Sequence, residues 1–230
     1  MSLFDRIQIV TEKIQKSLDL CNRKDKVVLV AATKNQNLNT VAKCINSGII
    51  NIGENRVQEA EQKFEHLNTN NKKIVKRMIG HLQSNKLNKA LTLFDAIDSI
   101  DTIELAKKIA YKTAKTNTQI QALLEVNTSK EKSKFGFNPE DTQGMLESLE
   151  LNNIKIKGLM TLGPNTNNVK IKREAFKRLR NIKEDLNRQI QPTKQLTELS
   201  MGMSGDFDLA IQEGSTMVRL GTALFGRRKQ

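Results

Sequence analysis

The stretch "VVLVAATKNQNLNTVAKCINSGIINIG", residues 27–53, decides the fold. It opens and closes on short apolar runs rich in β-branched residues, "VVLVAA" (27–32) and "IINIG" (49–53). A longer stretch of helical pattern separates them. Before it, Leu3, Phe4, Ile7, Val10, Ile14 and Leu18 recur at spacings of three and four, which predicts an amphipathic helix ending near Cys21. After it the same alternation continues through "IVKRMIG" (74–80), "FDAIDSI" (94–100) and "IQALLEV" (120–126). It ends with "IKIKGLM" (154–160), "QLTELSM" (195–201) and "TMVRLG" (216–221), with helical patterns such as "REAFKRLRNIKEDLNR" between them. Strict alternation of this kind means parallel strands joined by helical crossovers. Eight such units in 230 residues predict an α/β chain folded as a closed (β/α)8 barrel with an extra N-terminal helix. A doubly wound open sheet is the competing arrangement. Eight strands nearly saturate the chain, only three prolines are present and no composition shift marks a boundary, so residues 1–230 are read as one domain.

The formal net charge of +13 raises the possibility of a polyanionic partner. Clustering would be needed, and the basic residues are instead interleaved with acids, as in "EKIQKSLDL" and "RLRNIKEDLNR", the pattern of solvated helix faces. No specific nucleic-acid partner is expected, and a basic nucleic-acid-associated protein stands as the alternative outside enzymes and carriers. Cys21 and Cys44 are far apart with no CxxC spacing, which supports neither a disulfide framework nor a metal site and suits a reducing cytoplasm. No apolar run approaches membrane-spanning length, so a soluble cytoplasmic protein without a membrane partner is expected.

In a barrel of this class the loops after the strands build the functional mouth. Lys34 follows the first strand directly and points into that mouth. Asn55 follows the second strand, and His81, Gln83 and Asn85 follow the third; as a helix cap, Asn55 or Ser84 has an ordinary structural reading. The last quarter is more specific. "SMGMSGDFDLAIQEG" places glycines and small residues before a short helix beginning near Asp206, and "RLGTALFG" makes a second glycine turn after a strand. Loops seven and eight of such barrels recurrently bind phosphate through backbone N–H groups, which makes Ser204, Gly221 and Thr222 the expected donors. A phosphate cradle facing a lysine suggests a phosphorylated carbonyl compound held as a Schiff base. Two chemistries satisfy that: an aldolase acting on sugar phosphates, or pyridoxal 5'-phosphate.

The motifs "VAATKN", "IGENRVQE", "IGHLQSNK", "EVNTSKEKSKFGF", "GLMTLG" and "LSMGMSGDFDLAIQEGSTMVRLGTALFG" together resemble the pyridoxal phosphate homeostasis proteins, the YggS-like group, over nearly the whole chain. The resemblance implies a barrel related to the N-terminal domain of alanine racemase, and a cofactor carrier or regulator without established catalysis. It implies that Lys34 forms the Schiff base, that Ser204, Gly221 and Thr222 contact the phosphate, and that Arg219 faces the pyridine nitrogen. It further implies that Asn55 lies near the cofactor while Met201 and Gly202 shape the same wall. Relatives commonly carry an aromatic residue and a histidine before "IG", where this chain has Lys76, Arg77 and Met78. His81 is not expected to be catalytic.

A cation fixed near the pyridine nitrogen disfavours its protonation and so weakens the ring as an electron sink. A pairing of Arg219 with a barrel carboxylate is the structural alternative. A racemase of the related fold also needs a second acid/base, and the one tyrosine, Tyr111, falls in the helix after strand four, on the outer ring. Lysines around the mouth, Lys134 among them, could replace it as a base. The expectation is a non-catalytic pyridoxal-phosphate-binding monomer acting in cofactor and amino-acid homeostasis, with apo-enzymes as transient partners. A pyridoxal-phosphate-dependent racemase is the enzymatic alternative.

Overall fold

The computed structural model describes residues 1–226 apart from residues 68, 70, 71 and 132. Helix α1 (Leu3–Asp19) precedes β1 (Val28–Ala32), α2 (Leu38–Asn46), β2 (Asn51–Glu54), α3 (Val57–Phe64) and β3 (Val75–Met78). Then come α4 (Leu87–Leu93), β4 (Ala96–Ile100), α5 (Ile103–Lys115), β5 (Ile120–Glu125), α6 (Thr142–Leu149) and β6 (Ile154–Met160). The chain finishes with α7 (Val169–Asn187), β7 (Glu198–Ser200), α8 (Phe207–Gln212), β8 (Met217–Leu220) and α9 (Thr222–Phe225). The strands are all parallel and follow one another around a closed barrel, β8 pairing with β1. The open sheet is thereby excluded.

Alternation along each strand divides the core into layers. Val30, Ile79, Leu123, Met160 and Met217 meet inside the barrel with Val28, Ala32 and Leu162. Residues of the opposite parity, such as Ala31, Ile52, Val218 and Leu220, pack outward with apolar residues of the helical ring. Burial on both faces is why the strands read as nearly continuous apolar runs. The extra helix α1 is set by a capping box between Ser2 and Asp5, and it lies against α8 and α9.

Every strand except β6 is shorter than the apolar run that marks it, and β2 and β7 show the reasons. β2 begins at Asn51, because its ladder with β1 starts at the Val30–Asn51 pair, and Ile50 is left exposed. β7 stops at Ser200, yet the ladder to β8 runs on through Met201 N–H to Met217 O (3.0 Å) and Arg219 N–H to Gly202 O (3.0 Å). Gly202 ends it with φ +97°, where a Cβ would lie 2.6 Å from the Ala210 Cβ, so only glycine lets α8 pack this closely.

Candidate functional site

Val28, Val30 and Ala32 line the barrel interior, so two further residues put Lys34 on the same inward parity, just past the carboxyl end of β1. Its side chain is exposed and makes no hydrogen bond or ion pair among the described residues. The turn around it is fixed. Thr33 N–H bonds to Gly53 O at 2.9 Å, and Asn35 takes the left-handed conformation at φ +59°.

The β1–β8 register pairs Val30 with Arg219 and Ala31 with Leu220, which brings loop eight beside the lysine turn. There the Ser204 Oγ accepts hydrogen bonds from the N–H groups of Gly221 (3.2 Å) and Ala223 (3.0 Å), clasping loop seven to the first turn of α9. This corrects the expectation that Gly221 offers a free backbone donor: its N–H is taken by Ser204. The Ser204 hydroxyl hydrogen is not used in those two bonds, and the Thr222 N–H has no partner among the described residues. The Met201 side chain is fully buried in the main core cluster with Leu199 and Ala210, so only its backbone is left to shape the wall. Gly202 is needed for the approach of α8, independently of any ligand.

Arg219 is 4% exposed, and its donors go to neutral acceptors. Nη1 reaches Ser200 O (2.8 Å) and Ser200 Oγ (2.6 Å), and Nη2 reaches Thr161 O (2.7 Å). The expected alternative, direct pairing with a carboxylate, is not what holds it. Burial pushes its guanidinium below the usual range, and the charges of Asp98, Glu125 and Asp206 pull it back. The converse holds at Glu125, where burial dominates over Arg219 and raises the carboxyl to about 7.

Asn55 sits between β2 and α3, but it caps nothing. The N-cap of α3 is Arg56 without a side-chain bond, and Ser84 begins a 3-10 turn, its Oγ accepting from Lys108 Nζ at 3.3 Å. A cavity of about 530 Å³ lies in this sector, lined by Asn55, Arg56, Gln58, His81, Gln83 and Lys86 among others. Of the expected site residues it touches Asn55 alone; the others lie at the ends of β1, β7 and β8. His81 Nδ1 lies 2.8 Å from Asp101 Oδ2, and its ring stacks on Phe135 with centroids 3.7 Å apart. The departure before "IG" has an internal explanation: Arg77 pairs with Asp98 at 2.9 Å and bonds Asn51 Oδ1 at 3.0 Å inside the barrel.

Sequence reasoning missed several of these groups because each lies on a different strand from its partner. Tyr111 is exposed on α5, and Lys134 Nζ is held by Glu131 Oε1 and Gly163 O, both at 2.7 Å. No cluster of three metal-ligating side chains occurs among the described residues.

The chain matches the family described as alanine racemase, N-terminal domain, over residues 8–229. It is 38% identical to the pyridoxal phosphate homeostasis protein of Aquifex aeolicus over 231 residues, covering all of both chains. It superimposes with TM-score 0.85 on PipY of Synechococcus elongatus, a structure solved with PLP bound, at 31% identity, covering 98% of this chain and 100% of that one. An alanine racemase of Clostridium difficile shares the fold at TM-score 0.76 and 15% identity, this chain spanning 61% of its length.

Proposed function

The chain belongs to the pyridoxal phosphate homeostasis protein family, and on that premise we propose that it binds pyridoxal 5'-phosphate at the barrel mouth and manages its supply without turning over an amino acid. The single observation that carries this reading is the β1–β8 pairing. It sets a lysine amine beside a loop clasp that retains a hydroxyl hydrogen and an N–H, and among the described residues neither the amine nor that N–H has a partner.

These groups fit the cofactor's chemistry. It needs an amine for its aldehyde, donors for its phosphate and a defined partner for its ring nitrogen. Lys34 Nζ would hold it covalently, Ser204 and Thr222 would donate to the phosphate, and Gly221 shapes the turn that presents them. Asn55, Met201 and Gly202 bound the same region, the last two through their backbone. When bound, pyridoxal phosphate supplies an aldehyde and an electron-withdrawing ring. Arg219 keeps a fixed positive charge on the β8 wall, held in place by Ser200 and Thr161, and so disfavours a proton at a facing ring nitrogen.

The absence of turnover is supported by what the candidate acid/base groups do instead. Tyr111 faces solvent on the outer ring, and Lys134 is engaged by a carboxylate and a carbonyl. The reading is of one cytoplasmic domain acting as a monomer and passing cofactor to apo-enzymes. No described helix is long and apolar enough to cross a membrane.

Borohydride reduction of the loaded protein followed by peptide mapping tests the attachment, with label expected on Lys34; label elsewhere with Lys34 unmodified overturns it. Deuterium exchange at the α-carbon of L-alanine should match free pyridoxal phosphate within about tenfold, since positioned acid/base assistance is typically worth 100-fold or more. Exchange far above that, abolished in Lys34→Ala, would show an enzyme.

A further inference from the structure

Behind the lysine turn, outside the barrel wall, lies a cluster of charges that the mouth does not use. Glu54, the last residue of β2, is 0% exposed. Its Oε1 accepts from the Thr33 hydroxyl at 2.6 Å and from Lys63 Nζ at 2.5 Å, and its Oε2 has no hydrogen-bond partner among the described residues. Lys63, on α3, is itself buried, and it also donates to Thr33 O at 2.8 Å and to Glu59 Oε1 at 3.1 Å. Glu59 in turn accepts the Asn35 N–H.

The backbone groups that Lys63 and Glu59 engage, Thr33 O and Asn35 N–H, flank Lys34 on either side, while Glu54 holds the Thr33 hydroxyl and Lys63 itself. Stability is a poor reason for such a cluster, because desolvating ion pairs commonly costs as much as their attraction returns. Geometry is a better one. Asn35 sits in the left-handed region, which asparagine adopts more readily than other non-glycine residues, and Glu59 holds its N–H in that turn. We propose that Glu54, Glu59 and Lys63 are positioning residues for Lys34: Lys63 and Glu59 grip the peptide groups before and after it from the helical side, and Glu54 anchors Lys63 and the Thr33 hydroxyl, so that the Lys34 amine is delivered into the mouth. This rests on the reading of Lys34 as the attachment point. Glu54 acts through Thr33 and Lys63, and Glu59 acts through Asn35; neither touches the cofactor.

Glu59→Ala is the informative variant, because its side chain is 24% exposed and its loss leaves the buried Glu54–Lys63 pair intact. Three readouts are compared with wild type: amide hydrogen exchange at Asn35 in cofactor-free protein, covalent attachment of pyridoxal phosphate at Lys34, and competition by inorganic phosphate. Asn35 exchange should quicken and attachment should weaken about tenfold, equivalent to ~1.4 kcal/mol. Phosphate competition should be unchanged, and Glu59→Gln, which keeps an acceptor for the Asn35 N–H, should recover most of the loss. Attachment equal to wild type in Glu59→Ala overturns the proposal, as does a loss that phosphate competition shares. If wild type attaches nothing at Lys34, the functional reading fails, while unchanged Asn35 exchange in Glu59→Ala would separately refute the grip. Thr33→Val, which removes the hydroxyl that Glu54 receives, should reproduce the attachment defect without disturbing Glu59.

Discussion

Replacing Glu125 by glutamine should change how the stability of the fold depends on pH. The side chain is 4% exposed on the inward face of β5, and burial raises its carboxyl from the ordinary 4.5 to about 7, against the attraction of Arg219 and with some help from Asp101. Between those two pH values the native state keeps a proton that the unfolded chain has released. This contribution to stability is therefore complete below pH 4.5 and is lost as pH rises through 7. At about 1.4 kcal/mol per pH unit, the whole loss amounts to about 3 kcal/mol, of which about 2 to 3 kcal/mol falls between pH 5 and pH 8. Glu125→Gln is neutral throughout and escapes that loss. Its unfolding free energy relative to wild type should accordingly rise by about 2 to 3 kcal/mol from pH 5 to pH 8. Urea unfolding of both proteins at the two pH values measures the difference, and subtracting the wild-type trend removes Glu54, Asp98 and Glu198, whose carboxyls burial also raises. A wild-type-minus-variant difference that is flat with pH would refute the argument. It would mean that the Arg219 charge compensates burial fully.

Ser204→Ala removes the acceptor of two backbone bonds as well as the hydroxyl proposed to donate to the phosphate. It should lower stability by about 1 to 2 kcal/mol and weaken pyridoxal phosphate binding by about tenfold or more, while leaving pyridoxal binding nearly unchanged; calorimetry with both ligands checks it, and equal losses for the two would remove Ser204 from the phosphate site. Gly158→Ala puts a Cβ into the Glu198 carbonyl across the β6–β7 pair, and neither backbone can yield without opening the barrel. That variant should lose more than about 3 kcal/mol or fail to accumulate as folded protein, read by thermal unfolding, and near-wild-type stability would show that the barrel relaxes there.

The barrel and the place of Lys34 were legible in the sequence because both follow from local period. Apolar runs mark strands buried on two faces, alternation with helical pattern forces parallel pairing, and a parity of two carries the inward face of β1 past Ala32 to Lys34. Glycine spacing likewise announced the turns of loops seven and eight. Direction of side chains near those turns was not legible: Met201 follows the strand parity outward into the core, and Ser204 turns its oxygen toward Gly221 and Ala223. The grip on Lys34 left one faint sign in the sequence, a lysine at position 63 on the same face of α3 as Val57 and Ala60, where an apolar residue is expected. Its meaning needed the fold, since Thr33 lies 21 residues from Glu54 and 30 from Lys63. Pairs such as Arg77 with Asp98, and His81 with Asp101, are likewise joined only when neighbouring strands are brought into register. Period and residue type are properties of a segment, and they determined the architecture and the position of Lys34. Burial, partner choice and the resulting charge states are properties of segments in contact, and only closing the barrel decided those.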